Sequence, residues 1–259
     1  MINIQGHKEN YLFLFKNYPV FHLFLEYAFN HTTYELYIND EKHPSMVMIH
    51  IPPAFVFAGV PDERESISIQ TILPNGAWIV SPNESFDRWL IKTFCSRLQS
   101  HPRILFDGSF LKPEELNKHI NAIPEELSIV PIEEKHLQKG MIKEEIIDRF
   151  FANVDFLEHG FGFALVNTEG VIHGFAVTNY PIGHTHDIEV SYRVGYDSYT
   201  KYRKQGIGTT LASLFLIDTI KRGYRPIWDA ANPVSVHIAK KLGYVESYHW
   251  TMFHMIEVH

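Results

Sequence analysis

The sequence predicts an α+β protein in which antiparallel hairpins and helices alternate. Short runs of β-branched and aromatic residues are interspersed with segments of helical periodicity along the 259 residues. GFGFALVN and VIHGFAVTNY are joined by Thr168-Glu169-Gly170, a turn typical of a hairpin. The repeated parallel βαβ units of a dinucleotide-binding fold are not found. Hydrophobic residues make up 45% of the chain, enough to form a packed core rather than a disordered segment.

The first half is predicted to begin with a buried helix over residues 1–30. This segment is apolar, but Lys16, Pro19, His22 and Glu26 interrupt it, so it does not predict a membrane span. Strands are predicted for YELYI, MVMIHI, FVFAGV, SISIQTIL, AWIV and RILFDGSF. Helices are predicted for SPNESFDRWLIKTFCSRLQS, with a cap at Ser81 or Asn83, and for PEELNKHINAI.

The pattern restarts near residue 124, which predicts an N-terminal α/β domain over residues 1–122 and a second domain over residues 123–259. The second domain is predicted as β-αα-β-β-β-α-β-α-β. Its segments are LSIVPI, EEKHLQKGMIKEEIIDRFF with a break at Gly140, GFGFALVN, VIHGFAVTNY, HDIEVSYRV, a helix ending near Gly223, RPIWDA, PVSVHIAKKLG and YVESYHWTMFHMIEV. Both halves carry hairpins and a late strand–helix pair, so a repeated fold is a further hypothesis.

Composition excludes several classes of function. The formal charge of −7 provides no polycationic face for nucleic acid, and no cleavable signal or membrane segment is predicted. Cys95 is the one cysteine, so no intrachain disulfide can form, which fits a cytoplasmic protein. We expect Cys95 to be a buried small hydrophobe rather than a nucleophile.

The stretch YRKQGIGTTLA, Tyr202 to Ala212, predicts a positively charged, glycine-rich helix start. The first N–H groups of a helix have no partners within the helix, and its dipole is positive there, so phosphate is a natural ligand. Arg203 and Lys204 add charge. Backbone amides would come from Gln205, Gly206, Ile207, Gly208 and Thr209. The alternative is an ordinary helix start with solvated basic residues.

Two phosphate-binding motifs are excluded by the spacing. No Lys-Ser or Lys-Thr follows the second glycine, so the stretch is not a P-loop. Leu211 stands where a dinucleotide-binding fingerprint would have its third glycine.

Arg203-x-x-Gly206-x-Gly208, after a strand and before a helix, resembles the acetyl-coenzyme A pyrophosphate loop of the GNAT acetyltransferases. WDAANPVSVHIAKKLGY, with Asn232, resembles the next strand and helix of that superfamily. VDFLEHGFGFALVN and RGYRPIWDAAN resemble its zwittermicin-resistance-type branch. The resemblance spans residues 126–259 and implies the GNAT fold, a mixed, largely antiparallel sheet with a splayed central strand pair flanked by helices. It makes residues 1–122 an N-terminal extension or a degenerate GNAT-like half.

The resemblance implies an N-acetyltransferase that moves the acetyl group directly from acetyl-CoA, its cosubstrate, to a primary amine. The acceptor would be a small molecule, such as an antibiotic or an amine metabolite. Asn232 would contact CoA or a bound water, or else serve as an ordinary helix cap. The implied cofactor-binding residues are Tyr192, Arg193, Val194, Arg203, Lys204, Gln205, Gly206, Ile207, Gly208, Thr209, Asn232 and Ser235.

Glu189 is the first candidate for the base, because many family members place an acidic residue there to deprotonate the amine. It lies on the strand before the glycine-rich loop, although VGYDSYTKY makes that connection longer than in the compact family pattern. The alternatives are a solvated strand glutamate and a residue that binds the amine without proton transfer. Asp187 and the pair His184 and His186 are second choices.

The proton donor to the leaving thiolate is less clearly assigned. Ala239 stands where many GNAT enzymes have a tyrosine, which leaves Tyr244, Ser235, water or no acid at all. His184-x-His186 has no third ligand at a convincing spacing, so no metal is expected.

Two other functions are kept as alternatives, a non-catalytic acyl-CoA-binding module and a peptide or protein acetyltransferase. No nucleic-acid or membrane partner is expected, and a homodimer stays an open alternative.

Overall fold

The computed structural model describes residues 1–15, 18, 22–31, 34–52, 54–138, 140–183, 185–194 and 205–257. Two compact units are formed, unit 1 from Met1–Ile104 with Tyr248–His259 and unit 2 from Leu105–Ser247. Residues 105–122, expected in the N-terminal domain, belong to unit 2. The last strand of the chain, expected in the second domain, belongs mainly to unit 1.

The strands in chain order are β1 Ile2–Ile4, β2 Glu35–Ile38, β3 Met46–Ile51, β4 Ala54–Gly59, β5 Trp78–Val80, β6 Leu98–Asp107, β7 Leu127–Pro131, β8 Gly162–Asn167, β9 Ile172–Thr178, β10 Asp187–Val194, β11 Arg225–Ala230 and β12 Val245–Met255. The α-helices are α1 His22–His31, α2 Ser66–Ile72, α3 Glu84–Phe94, α4 Pro113–Asn117, α5 Glu134–Leu137, α6 Asp148–Phe150, α7 Phe156–His159, α8 Ile207–Lys221 and α9 Pro233–Leu242. Short 3-10 helices cover Lys8–Phe15, Glu63–Glu65 and Cys95–Arg97, and a π-helical turn covers Lys143–Ile147.

Unit 1 is built on a sheet of order β1-β2-β3-β4-β5-β12. Strands β1 to β4 pair antiparallel in sequence, β4 pairs parallel with β5, and β12 pairs antiparallel with β5. Both faces are covered, because alternate residues of β3 enter two different cores. Met46 and Met48 pack towards α3, whereas Val47 and Ile49 pack with residues of α1.

Three expectations for unit 1 are wrong. Residues 1–30 are not all helical, since β1 precedes the 3-10 helix and α1. SISIQTIL forms α2 rather than a strand, because Ile69 and Leu73, four residues apart, are buried together while Ile67 is 79% exposed. Cys95 is exposed, because it follows α3 in a tight turn with a φ of 48°.

Unit 2 contains the order β11-β10-β9-β8-β7. Strands β7 to β10 pair antiparallel in sequence, and β10 pairs parallel with β11. The hairpin between β8 and β9 turns at Gly170, whose φ is 78°. The expected break at Gly140 is present, with a φ of 73°. The predicted architecture, a mixed and mostly antiparallel sheet with helices, is confirmed.

Helix α8 is the central helix of unit 2. Its buried residues lie on all sides, including Leu211, Phe215 and Leu216, and it packs against β8, β9, β10 and β11. Gly223, with a φ of 86°, follows its end, and the chain then turns into β11. Among the described residues, no helix is both long enough and apolar enough to span a bilayer.

Candidate active site

The parallel strands β10 and β11 pair over three residues and then part. The pairs are Asp187 with Arg225, Ile188 with Pro226, and Glu189 with Ile227. Within the described residues, β10 continues to Val194 paired only with β9, while β11 continues to Ala230. The facing edges beyond Glu189 and Ile227 therefore diverge and can accept an extended ligand with backbone-like amides.

The N-terminus of α8 lies towards the open end of this cleft. The helix ends near the closed end, because the chain enters β11 soon after Lys221 and the Arg225 backbone N donates to the His186 carbonyl. Fifteen helical residues at about 1.5 Å each then carry its first turn back along the strands. The start of α8 and the cleft between the strands thus belong to one site.

Gly206 is the N-cap of α8 and has a left-handed φ of 78°. Within the described residues, no side chain caps this helix start, so the first amides, from Ile207, Gly208 and Thr209, remain available to an anion. Gln205 is exposed beside them. Arg203 and Lys204, which were expected to add charge, lie outside the described residues.

Asn121 closes over this helix start, a contact that the sequence did not predict. A Cβ on Gly206 would lie 2.9 Å from the Asn121 Nδ2. The Asn121 backbone N donates to the Thr210 Oγ1 at 3.0 Å, and the Thr210 hydroxyl lies 3.3 Å from the His119 carbonyl. The segment that follows α4 therefore fixes the first turn of α8.

The two faces of β10 present different chemistry. Side chains along β10 alternate between the two faces of the sheet. One face carries Glu189, Ser191 and Arg193, and the other carries Val190 and Tyr192. Arg193 forms an ion pair with Glu145 of the π-helical turn. The polar face of β10 is thus directed towards the segment that contains residues 143–150.

Glu189 is partly buried at the apex of the cleft. Its Oε1 accepts a hydrogen bond of 3.0 Å from the Asn179 side-chain amide. The Glu189 carbonyl also accepts a 2.8 Å hydrogen bond from the Asn179 backbone N. The structure therefore places the first candidate base beside the point where the strands part.

The second-choice bases are placed differently. Asp187 accepts two hydrogen bonds of 2.6 Å from Arg225, and this contact raises the pKa of the guanidinium. A carboxylate held by an arginine in this way is a weak proton acceptor. His186 is exposed, and His184 lies outside the described residues.

An aromatic group lines the other face of the diverging strands. The Trp228 ring lies 5.3 Å from that of Tyr192 and 5.8 Å from that of Tyr244. The Trp228 indole N–H donates to the Ser235 Oγ at 2.8 Å. Trp228 is only 3% exposed, so this hydrogen bond satisfies a buried donor.

Asn232 and Ser235, both predicted to contact CoA, make local contacts at the start of α9. The Asn232 Oδ1 accepts a 2.9 Å hydrogen bond from the Ser235 backbone N, which makes Asn232 the N-cap of that helix. Asn232 therefore caps α9, which is one of its two expected roles, and the Ser235 hydroxyl accepts the hydrogen bond from the Trp228 indole.

Tyr244, the candidate acid, is buried. Burial raises the pKa of its phenol well above the ordinary value, and the charge of Asp107 adds to the rise. Its hydroxyl has no hydrogen-bond partner within the described part of the chain. Ala239, which stands where the family resemblance would lead us to expect a tyrosine, is fully buried in α9.

The described residues contain no group of three or more His, Cys, Asp or Glu side chains arranged to hold a metal ion.

The tertiary partners at this site could be found from the sequence only in part. Asn179 lies in VIHGFAVTNY, the predicted strand that precedes HDIEVSYRV, but its position opposite Glu189 is known only from the observed register. The contact of Asn121 with Thr210 has no comparable signal, because it joins segments 89 residues apart.

Solved structures similar to this chain share its fold along almost the whole length. A GCN5-related N-acetyltransferase-like protein from Streptococcus suis is 18% identical, with 96% of this chain and 98% of that chain covered and a TM-score of 0.75. An acetyltransferase of the GNAT family from Colwellia psychrerythraea is 13% identical, with 99% of both chains covered and a TM-score of 0.59.

A tandem GNAT protein from the clavulanic acid biosynthesis pathway is 10% identical, with 85% of this chain and 82% of that chain covered and a TM-score of 0.56. The comparison with curated proteins gives no match. The family model described as GNAT acetyltransferase matches residues 14–253, which cover all of unit 2 and most of unit 1. The chain therefore belongs to the GNAT acetyltransferase family.

Proposed function

We propose that this protein is an acetyl-CoA-dependent N-acetyltransferase of the zwittermicin-resistance-type branch, acting on the primary amine of a small molecule. The observation that carries the proposal is the parting of β10 and β11 at Glu189 and Ile227, with the uncapped start of α8 at the open end. Amides of the α8 start suit the pyrophosphate, and the strand edges suit the amides of the pantetheine arm.

Acetylation of an amine requires a proton acceptor at the site, and a carboxylate can supply it. An alkylamine is mostly protonated at neutral pH, so a base must take one proton before the nitrogen can attack. Glu189 takes that proton, directly or through water. A backbone N–H among residues 190–194 polarises the thioester carbonyl and stabilises the oxyanion.

The transfer is balanced in atoms and charge. The neutral nitrogen bonds to the acetyl carbon, the carbon–sulfur bond breaks, and CoA leaves as a thiolate. The second proton of the new amide nitrogen passes to solvent. A thiol has a pKa near 8.5, so the thiolate leaves without obligatory protonation. Tyr244 stays a candidate acid, and its burial favours departure of the thiolate as such.

Unit 1 is proposed to be a degenerate copy of the same fold. Its four antiparallel strands, parallel β5 and helices α2 and α3 repeat the order of β7 to β11 with α8 and α9. In the third residue pair between β4 and β5, Val56 takes the position that Glu189 takes in the third pair between β10 and β11.

The segment before α2 has no glycine, and backbone amides there are already occupied. The Asp62 carboxylate accepts from the Arg64 backbone N, and the Ser66 backbone N donates to the Glu63 carbonyl. We therefore expect one acyl-CoA site per chain, in unit 2.

CoA release in the presence of acetyl-CoA and an amine panel tests the function. The panel contains ethanolamine, putrescine, an aminoglycoside and a peptide with a free N-terminus. Turnover with a small amine supports the proposal, and turnover with the peptide alone supports the protein acetyltransferase alternative. Acetyl-CoA binding without turnover on any member would support a non-catalytic binding module. A cytoplasmic location and a possible homodimer stay predictions.

A further inference from the structure

Asn179 contacts Glu189 through both its backbone and its side chain. The register of β9 and β10 pairs Thr178 with Val190, so Asn179 lies directly opposite Glu189 at the next position. Residues directly opposite across antiparallel strands have side chains on the same face. The 2.8 Å backbone hydrogen bond fixes this register, and the 3.0 Å side-chain hydrogen bond fixes the Glu189 Oε1.

The direction of the side-chain hydrogen bond selects one state of the carboxyl group. An asparagine Nδ2 only donates, and a carboxylate oxygen accepts most strongly when it is ionised. A donor to the ionised form favours that form. The Asn179 amide therefore both orients the carboxylate and keeps it ready to accept a proton.

Two charged residues of β10 near Glu189, Asp187 and Arg193, each form an ion pair. On the same face, Asp187 is held by Arg225, and Arg193 is held by Glu145. Asp229 lies two residues after Ile227 on β11 and therefore on the same face of the sheet, and Tyr180 follows Asn179 in the chain. Asn179 is a neutral donor, so its effect on Glu189 persists over the whole pH range in which the protein is folded.

We propose that Asn179 is a positioning residue for the base Glu189. The inference rests on the proposed function, because it gives Glu189 the role of proton acceptor. It adds the residue that sets the orientation and the protonation of that acceptor. Asn179 itself does not touch the reacting atoms in this account.

Titration of the free protein labelled with ¹³Cδ-glutamate tests the hydrogen bond without any turnover. Glu189→Gln assigns the signal, and its midpoint is compared among wild type, Asn179→Ala and Asn167→Ala. Asn167 ends the neighbouring strand β8, and its side chain accepts hydrogen bonds from backbone N–H groups of the hairpin, so Asn167→Ala controls for destabilisation. We expect Asn179→Ala to raise the Glu189 midpoint by about one pH unit, and Asn167→Ala to leave it unchanged.

Turnover then tests the positioning role. With the most active amine of the panel, Asn179→Ala should shift the acid limb of the pH profile of kcat/KM to higher pH by the same interval. The acetyl-CoA Kd should stay unchanged. An unchanged titration midpoint, or a shifted midpoint with an unchanged profile, would overturn the inference. Failure of the proposed function looks different, since wild type would then acetylate no panel amine or Glu189→Gln would keep full turnover.

Discussion

Glu189 on β10 and Ile227 on β11 form the last pair before the two parallel strands part. In the proposed reaction, a carboxylate at this apex lies beside the amine as it attacks the thioester of an acyl-CoA bound from the open end. We therefore expect Glu189→Gln to lower kcat/KM by about 10²- to 10⁴-fold at neutral pH, the usual contribution of a general base. Steady-state CoA release measures this loss, while the acetyl-CoA Kd stays unchanged.

Asp187→Asn is the matched control for Glu189→Gln. Asp187 lies two residues earlier on the same face of the same strand, but Arg225 holds its carboxylate. The Asp187→Asn variant should therefore be somewhat less stable than wild type, and the pH dependence of its turnover should equal that of wild type. If Asp187→Asn abolished turnover and Glu189→Gln did not, the two carboxylates would have the opposite roles.

Gly206 is expected to matter for both folding and ligand binding. An alanine there has to adopt a φ of 78° and meets the Asn121 amide. The backbone strain alone costs about 1 to 2 kcal/mol, and the added Cβ obstructs a phosphate. Gly206→Ala should lower the Tm and raise the acetyl-CoA Kd by about tenfold, which is about 1.4 kcal/mol.

Gly170→Ala separates the two effects. Gly170 has the same φ of 78°, but nothing lies within 4 Å of an added Cβ. It should lower the Tm by strain alone and leave acetyl-CoA binding unchanged. Equal Kd values for both alanine variants and wild type would show that the start of α8 does not bind the pyrophosphate.

The Ser235 hydroxyl is expected to stabilise the fold through Trp228. Ser235→Ala leaves a buried indole N–H without its acceptor, which costs about 1 to 3 kcal/mol. Urea denaturation should show this loss, and Ser235→Thr, which keeps the hydroxyl, should recover most of it. A weaker acetyl-CoA affinity at full stability would instead assign the hydroxyl to CoA, as the family resemblance implies.

His136 makes stability depend on pH. Its Nδ1 accepts a hydrogen bond from the Glu133 backbone N at the start of α5, and burial, with the charge of Lys135, lowers the pKa of the imidazole. The unfolded chain therefore takes up the proton first as the pH falls below about 6.5, the ordinary pKa of histidine. Stability should be complete above that pH and decline as the pH falls towards the lowered value.

His136→Gln is the control for this pH effect. Glutamine at the third helical position can make the same capping contact and does not titrate. Its unfolding free energy should therefore decline less than that of wild type between pH 7 and pH 5. Parallel pH profiles of the two proteins would contradict the assignment.

Local signals predicted unit 2 well. The segments RPIWDA and PVSVHIAKKLG form β11 and α9 as expected, because a cap at Asn232 and a left-handed Gly243 mark the helix ends within the sequence itself. The parting of β10 and β11 has no such local signal. It was expected only from the family resemblance, since strand divergence depends on what packs against the strands.

Tertiary packing decided the segments that were mispredicted. SISIQTIL has the alternation of a strand, yet burial of Ile69 beside Leu73 makes it a helix. The hydrogen bond from Trp228 to Ser235 likewise depends on how α9 packs over β11, and composition and motif spacing do not predict that packing.

The number of acyl-CoA sites tests the reading of unit 1. Equilibrium binding of acetyl-CoA to wild type should give one mole per mole of chain, because the backbone amides before α2 are occupied within the chain and do not offer a second pyrophosphate site. Gly206→Ala should weaken that single site. Two sites of similar affinity would show that unit 1 has kept its binding function.

Thermal unfolding with and without acetyl-CoA, using ATP and NAD as controls, tests the central claim most directly. At a ligand concentration near 100 times Kd, binding to the folded chain adds about 2.7 kcal/mol of stability. We predict a rise in Tm of several degrees with acetyl-CoA and none with the controls. An unchanged Tm at millimolar acetyl-CoA would mean that the start of α8 and the cleft at Glu189 hold no acyl-CoA, and would contradict the proposed acetyltransferase activity.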